Sequence, residues 1–230
     1  MSDDPSSTAP SEADWTALPR ATDTAEAVEA HLARLLGEAP TVFHEVVSEV
    51  LHIDVHPIPP DVDRPWWTLF TTGMSALPMS PSPGRPGPLY AELVLFLPED
   101  WQPAPDAQTW KDPENWWPVS FTKYLARIPH QYSTCLDWGS TVPNGDPMQP
   151  MAPDSAFTGV LLLPPFNALP DPKDWQVSLP DGRVIKLLAP VFLHPEEMDF
   201  KLAHGYPALL DRLAAAEVVA GLTPGRPSAV

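Results

Sequence analysis

Three side chains at alternate positions, His52, Asp54 and His56, form the strongest chemical pattern in the sequence. A β-strand turns successive side chains to opposite faces, so residues two apart share one. Two imidazoles and one carboxylate on a common face are the donor set of a metal site with open positions, and so of a metal-dependent hydrolase. The simpler reading turns Leu51, Ile53 and Val55 to a core and leaves the polar three in water. One short strand seldom aims three ligands by itself, so no metal and no cofactor are expected here. His44-Glu45 does not extend the set, because no second histidine follows at the zinc-protease spacing.

The remaining nucleophiles are equally bare. Cys135 has His130 and His204 as conceivable bases, but it sits among Tyr132, Leu136 and Trp138 with no adjoining cation to lower its pKa. Ser75 and Ser140 lie near glycines without the nucleophile-elbow pattern. In Gly84-Arg-Pro-Gly87 the prolines remove the amide donors that a phosphate cradle needs. The catalytic set is therefore read as none, and the chain as a non-enzyme.

Composition narrows the partners. A net charge of −17 over 230 residues lacks the basic footprint of a nucleic-acid binder and disfavours anionic membrane surfaces. It suits a basic protein partner, and it also serves solubility. One cysteine excludes an intrachain disulfide and fits a reducing compartment. The opening Met-Ser-Asp-Asp-Pro-Ser-Ser has neither the basic nor the apolar region of a signal peptide, and no apolar run reaches transmembrane length. A cytoplasmic protein is expected. The 33 prolines imply short elements and many fixed turns.

The elements that must position these residues read as one α+β domain over 22–219, between a disordered tail over 1–21 and a flexible tail over 220–230. Asp23 and Glu26 suggest a capped helix, with Val28, Leu32, Leu35 and Leu36 as its apolar stripe and Gly37 as its stop. Strand signals cover 42–50, 51–58, 66–72, 89–97 and 157–163, and the fourth suits burial on both faces. A helix is expected over 116–127, with Pro118 in its first turn. Pro180-Asp-Gly182 marks a hairpin between 175–179 and 183–188. Pro195-Glu-Glu197 opens a helix that Gly205 ends, and another follows from Pro207.

In this order the pieces resemble the Suppressor of fused family in its bacterial, single-domain form. The resemblance rests on His52-Ile-Asp-Val-His56, Thr71-Thr-Gly-Met-Ser75, Tyr90-Ala-Glu-Leu-Val94 and Ala126-Arg-Ile-Pro-His130. It continues through Thr134-Cys-Leu-Asp-Trp-Gly139, Pro180-Asp-Gly-Arg183 and Pro195-Glu-Glu197, and spans about residues 22–217. It implies a mixed, largely antiparallel sheet flanked by helices, and a protein-binding role. Eukaryotic members restrain Gli-type transcription factors by holding a peptide strand between two domains. This chain matches only their N-terminal domain and has Ile128 where they have an aromatic residue, so that peptide site is not carried over. Bacterial members resemble immunity proteins that neutralise a cognate polymorphic toxin.

Recognition is expected from the loop over 128–151, whose Gly, Pro and aromatic content gives a shaped surface without catalytic groups. Tyr132, Trp138 and Met148 are the candidate apolar anchors, and Asp137 and Asp146 the carboxylates facing a basic toxin domain. The paired tryptophans at 66/67 and 116/117 either add to such a surface or cover the sheet. Two other functions stay open beside this one: the hydrolase built on His52, Asp54 and His56, and a regulator that binds an extended peptide at a sheet edge.

Overall fold

The computed structural model describes residues 19–45, 51–81, 87, 89–101 and 113–230. Residues 1–18 of the expected 1–21 tail and residues 46–50 of the expected 42–50 strand lie outside them. Helix α1 spans Pro19–Leu36, so it takes in residues 19–21 of the expected tail and runs through Asp23 instead of starting there. Its buried stripe is Thr24, Val28, Leu32 and Leu36, a spacing of four that keeps one face against the sheet. Gly37 follows at φ +91°, donating its amide to the Ala33 carbonyl at 3.0 Å, as the helix stop requires.

The strands are β1 (Asp54–Ile58), β2 (Trp66–Thr72), β3 (Tyr90–Pro98), β4 (Thr141–Pro143), β5 (Gly159–Leu163), β6 (Gln176–Ser178) and β7 (Val184–Leu193). Among the described residues they form one sheet ordered β1-β2-β3-β7-β5-β4, with β6 also on β7. Only β3–β7 is parallel among the strand pairs, so the sheet is mixed and largely antiparallel. The Pro180-Asp-Gly182 hairpin forms between β6 and β7, with Leu179 donating to the Arg183 carbonyl at 2.9 Å. Residues 42–45 are not a strand. Phe43 makes a single antiparallel bridge to Val55 at the outer edge of β1.

Alternation along β3 divides the core. Leu93, Leu95 and Leu97 face α2 (Pro113–Gln131), meeting its Val119, Leu125 and Ala126. Val94 and Phe96 face the other layer: α1, α3 (Pro195–His204) and α4 (Tyr206–Ala215), with Met198, Leu209 and Leu213. Helix α2 is longer at both ends than its sequence pattern suggests, which leaves Pro118 well inside it and not in its first turn. The sheet packing on this helix outweighs the local cost of a proline.

The C-terminal end departs most from expectation. Residues 220–230, read as a flexible tail, are docked into the fold. Gly221 forms a parallel bridge with Val191, and its amide donates to the Pro190 carbonyl at 2.8 Å. Leu222 in turn donates to the Phe96 carbonyl at 2.8 Å. The segment therefore fills the gap that opens between β3 and β7 beyond their parallel register of Tyr90–Leu93 with Ile185–Leu188. Pro190 is tolerated in this central strand because its missing N–H points towards that gap, not into the β5 ladder.

Candidate functional site

Backbone pairing brings together two short segments around the Phe43–Val55 bridge. Phe43 donates to the Val55 carbonyl at 2.8 Å, and the Glu45 amide donates to Asp54 Oδ1 at 3.2 Å. Glu45 locks the reverse direction, accepting the Ile53 amide at 3.1 Å on one oxygen and the Arg127 guanidinium on the other. On this frame His44 Nδ1 lies 3.0 Å from Asp54 Oδ2, and His52 Nε2 lies 3.0 Å from Asp54 Oδ1. One carboxylate thus carries an imidazole on each oxygen.

The expected His52, Asp54, His56 face is corrected accordingly. Strand β1 begins at Asp54, so His52 precedes it and escapes strict alternation. His56 is only 4% exposed; its Nε2 lies 2.9 Å from Thr72 Oγ1 and its ring stacks on Phe70 at 4.6 Å. Burial pushes its pKa down to about 4, which keeps the ring neutral at ordinary pH. His44 takes the third place. The sequence hid this because the pairing of Phe43 with Val55 crosses twelve positions and carries no periodic signal.

A second polar cluster lies under the Thr71–Ser75 turn. The wholly buried Glu92 accepts from Thr71 Oγ1 at 2.6 Å, the Gly73 amide at 3.0 Å, and the Ser75 amide and Oγ at 2.8 and 2.6 Å. Burial pushes its pKa up to about 7, against the pull of those hydrogen bonds. Gly73 is required in the turn: it sits at φ +108°, and a Cβ there would lie 2.0 Å from the His52 carbonyl oxygen. Ser75 is therefore a structural hydroxyl.

The loop after α2 holds the five residues expected to meet a partner, and they divide into two groups. Asp137 and Trp138 are tied inward. Lys186 Nζ lies 2.8 and 3.0 Å from the two Asp137 oxygens and 4.7 Å from the centre of the Trp138 ring. Trp138 Nε1 donates to the Leu187 carbonyl at 3.0 Å, and its ring meets Trp175 edge-on at 5.9 Å. Met148 is half-buried and packs on the α1/α3/α4 layer. Tyr132 is 67% exposed just beyond α2, and Asp146 is exposed in a turn. That turn is held from within: Asn144 Nδ2 donates to the Gln149 and Pro150 carbonyls at 3.0 and 2.8 Å, and the Met151 amide to Phe157 at 2.9 Å.

The two histidines weighed as bases for Cys135 are engaged with other groups. His130 Nε2 is 3.1 Å from the Met74 carbonyl oxygen, and His204 lies against Phe200 with ring centres 4.4 Å apart. Where the loop runs into β5, an apolar cleft of about 600 Å³ is lined by Trp101, Trp117, Met151, Phe157 and Leu222. Trp117 is thus a wall of this cleft, and its partner Trp116 packs edge-on against Phe43 at 5.3 Å. Among the described residues no helix is long and apolar enough to cross a membrane.

A sequence profile described as Suppressor of fused protein (SUFU) matches residues 49–227. A search of curated proteins returns no match. A Suppressor of fused homologue from Neisseria gonorrhoeae superposes with TM-score 0.63 at 18% identity, over 91% of this chain and 98% of that one. The crystal structure of the Sufu–Fu complex gives TM-score 0.60 at 16% identity, over 90% of this chain and 92% of that one. Drosophila Suppressor of Fused gives TM-score 0.61 at 15% identity, and its match covers 90% of this chain but only 51% of the longer fly protein. At these identities the likeness is one of fold.

Proposed function

Because this chain belongs to the Suppressor of fused family of protein-interaction domains, we propose that it is a binding module that sequesters a protein partner, and that the partner is a cognate toxin. It acts as an immunity protein in the cytoplasm, by occlusion and without catalysis.

The observation that supports this reading is the loop between α2 and β5. Its own hydrogen bonds hold it in one shape, while Tyr132, Asp146 and Asp154 stay exposed. A surface ordered before binding loses little entropy on association, and that favours tight recognition. The excess of carboxylates on the whole chain favours a basic partner and fast, salt-sensitive association. Asp137 and Trp138 contribute here by fastening the loop to β7, and Tyr132 and Asp146 by direct contact.

The test is to read the adjoining genes for a toxin domain and to co-express that domain with this chain. The expected result is rescue of growth and a stable complex on gel filtration. Toxicity that persists at high levels of folded protein would overturn the proposal.

A further inference from the structure

We propose that His44, His52 and Asp54 bind one divalent transition-metal ion of the zinc class, a property independent of the sequestration reading above. One donor atom from each residue, a ring nitrogen of His44 and of His52 and an Asp54 oxygen, lies within 4.8 Å of the other two. Two ligands of a tetrahedral zinc ion stand about 3.4 Å apart, given metal–ligand bonds near 2.1 Å. The imidazole–carboxylate distances of 3.0 Å already approach that value, so an ion needs only small side-chain rotations to enter. Two imidazoles and one carboxylate form a donor set that suits zinc over magnesium or calcium.

The site is built, not merely crowded. Asp54 is its inner anchor, with a side chain 18% exposed, and it is oriented by the Glu45 amide. The imidazoles approach from the solvent side, at 69% and 55% exposure, which leaves an open face for water as the remaining ligand. Neither nearby cation forms its hydrogen bond to a donor residue. Lys123 Nζ donates to the Phe43 carbonyl at 2.7 Å, while its charge also interacts with Asp54, and Arg127 is bound to Glu45. The Glu29 carboxylate interacts electrostatically with Asp54, so the local field includes a further negative charge. Bound metal would cross-link residue 44 to residues 52 and 54, fastening the 42–45 segment that covers the outer edge of β1.

Untagged protein, stripped with chelator and then dialysed, is titrated with Zn²⁺ by calorimetry and with Co²⁺ by visible absorbance. One ion per chain and a Co²⁺ ligand-field band are expected. Asp54→Asn and the double variant His44→Ala/His52→Ala each weaken binding roughly 100-fold or more. A second measurement needs no variant: Zn²⁺ protects His44 and His52 of the natural chain from diethylpyrocarbonate, read by peptide mass mapping, while exposed His204 stays reactive. No stoichiometric binding, binding undiminished in the double variant, or equal modification with and without Zn²⁺ would each overturn the site.

Discussion

Arg226 closes a fork on the fully buried Glu197, with Nη1 2.7 Å from Oε1 and Nη2 2.6 Å from Oε2. Nη2 also donates to the Phe192 carbonyl at 2.6 Å, and the Ala229 amide donates to Glu197 at 2.8 Å. The last residues of the chain thus complete the first turn of α3. Burial pushes the Glu197 carboxyl up, but these hydrogen bonds and the guanidinium outweigh it and hold the group below its ordinary value.

Replacing Arg226 by Ala leaves a carboxylate buried without its counter-charge, and the expected cost is about 3–5 kcal/mol by urea unfolding. The contribution of Glu197 is present above its unfolded pKa, near 4.5, and is lost as pH falls through the lower folded value. An Arg226→Ala protein as stable as its parent at pH 7 would contradict this account.

Glu92 has the opposite sign. Its folded pKa lies near 7, above the 4.5 of an unfolded glutamate, so the folded state holds an extra proton between these values. Stability from this group is full below pH 4.5 and falls as pH rises through about 7. Glu92→Gln should flatten that fall, read as the difference in thermal midpoint between pH 5 and pH 8. An unchanged slope in the variant would assign the pH dependence elsewhere.

Gly221 sits at φ +113°, and a Cβ there would stand 2.7 Å from Phe96 Cβ and 2.8 Å from its carbonyl oxygen. Both the backbone conformation and the contact resist a side chain. Gly221→Ala should cost about 2–4 kcal/mol and loosen residues 220–230 together. Hydrogen exchange at Leu222 reads that loosening directly: protection equal to the parent's would show that the gap between β3 and β7 is less tight than described.

On the partner surface, Tyr132→Ala combined with Asp146→Lys should weaken the complex by about 1–3 kcal/mol and leave the thermal midpoint unchanged, because both side chains are exposed. Asp137→Ala should act through the fold first, with any loss of binding following from the loosened loop. It removes the carboxylate bound to Lys186 and lowers stability by about 1–2 kcal/mol, whether or not a partner is present. Surface plasmon resonance and denaturation separate the two classes.

The strands and helices were legible where one face or both are buried, because burial writes a period into the chain. The 89–97 run, the Pro180-Asp-Gly182 hairpin and the Pro195 helix start all carry local signals, and each appears where expected. The docked 220–230 segment carries none: its two sheet bonds go to Pro190 and Phe96, far away in sequence. Asp137 and Trp138 looked like surface residues for the same reason, since Lys186, which ties them down, is 49 positions from Asp137.

By itself, then, the sequence determined most element types and the family pattern, since each rests on neighbours or on residues at fixed spacing; the mixed sheet with helices on its faces followed from the family resemblance. Tertiary structure alone decided which polar groups meet. It paired His44 with Asp54 and His52, buried His56, and sent Arg226 back to Glu197. Those pairings depend on sheet register and on a gap between two strands, and chain order encodes neither.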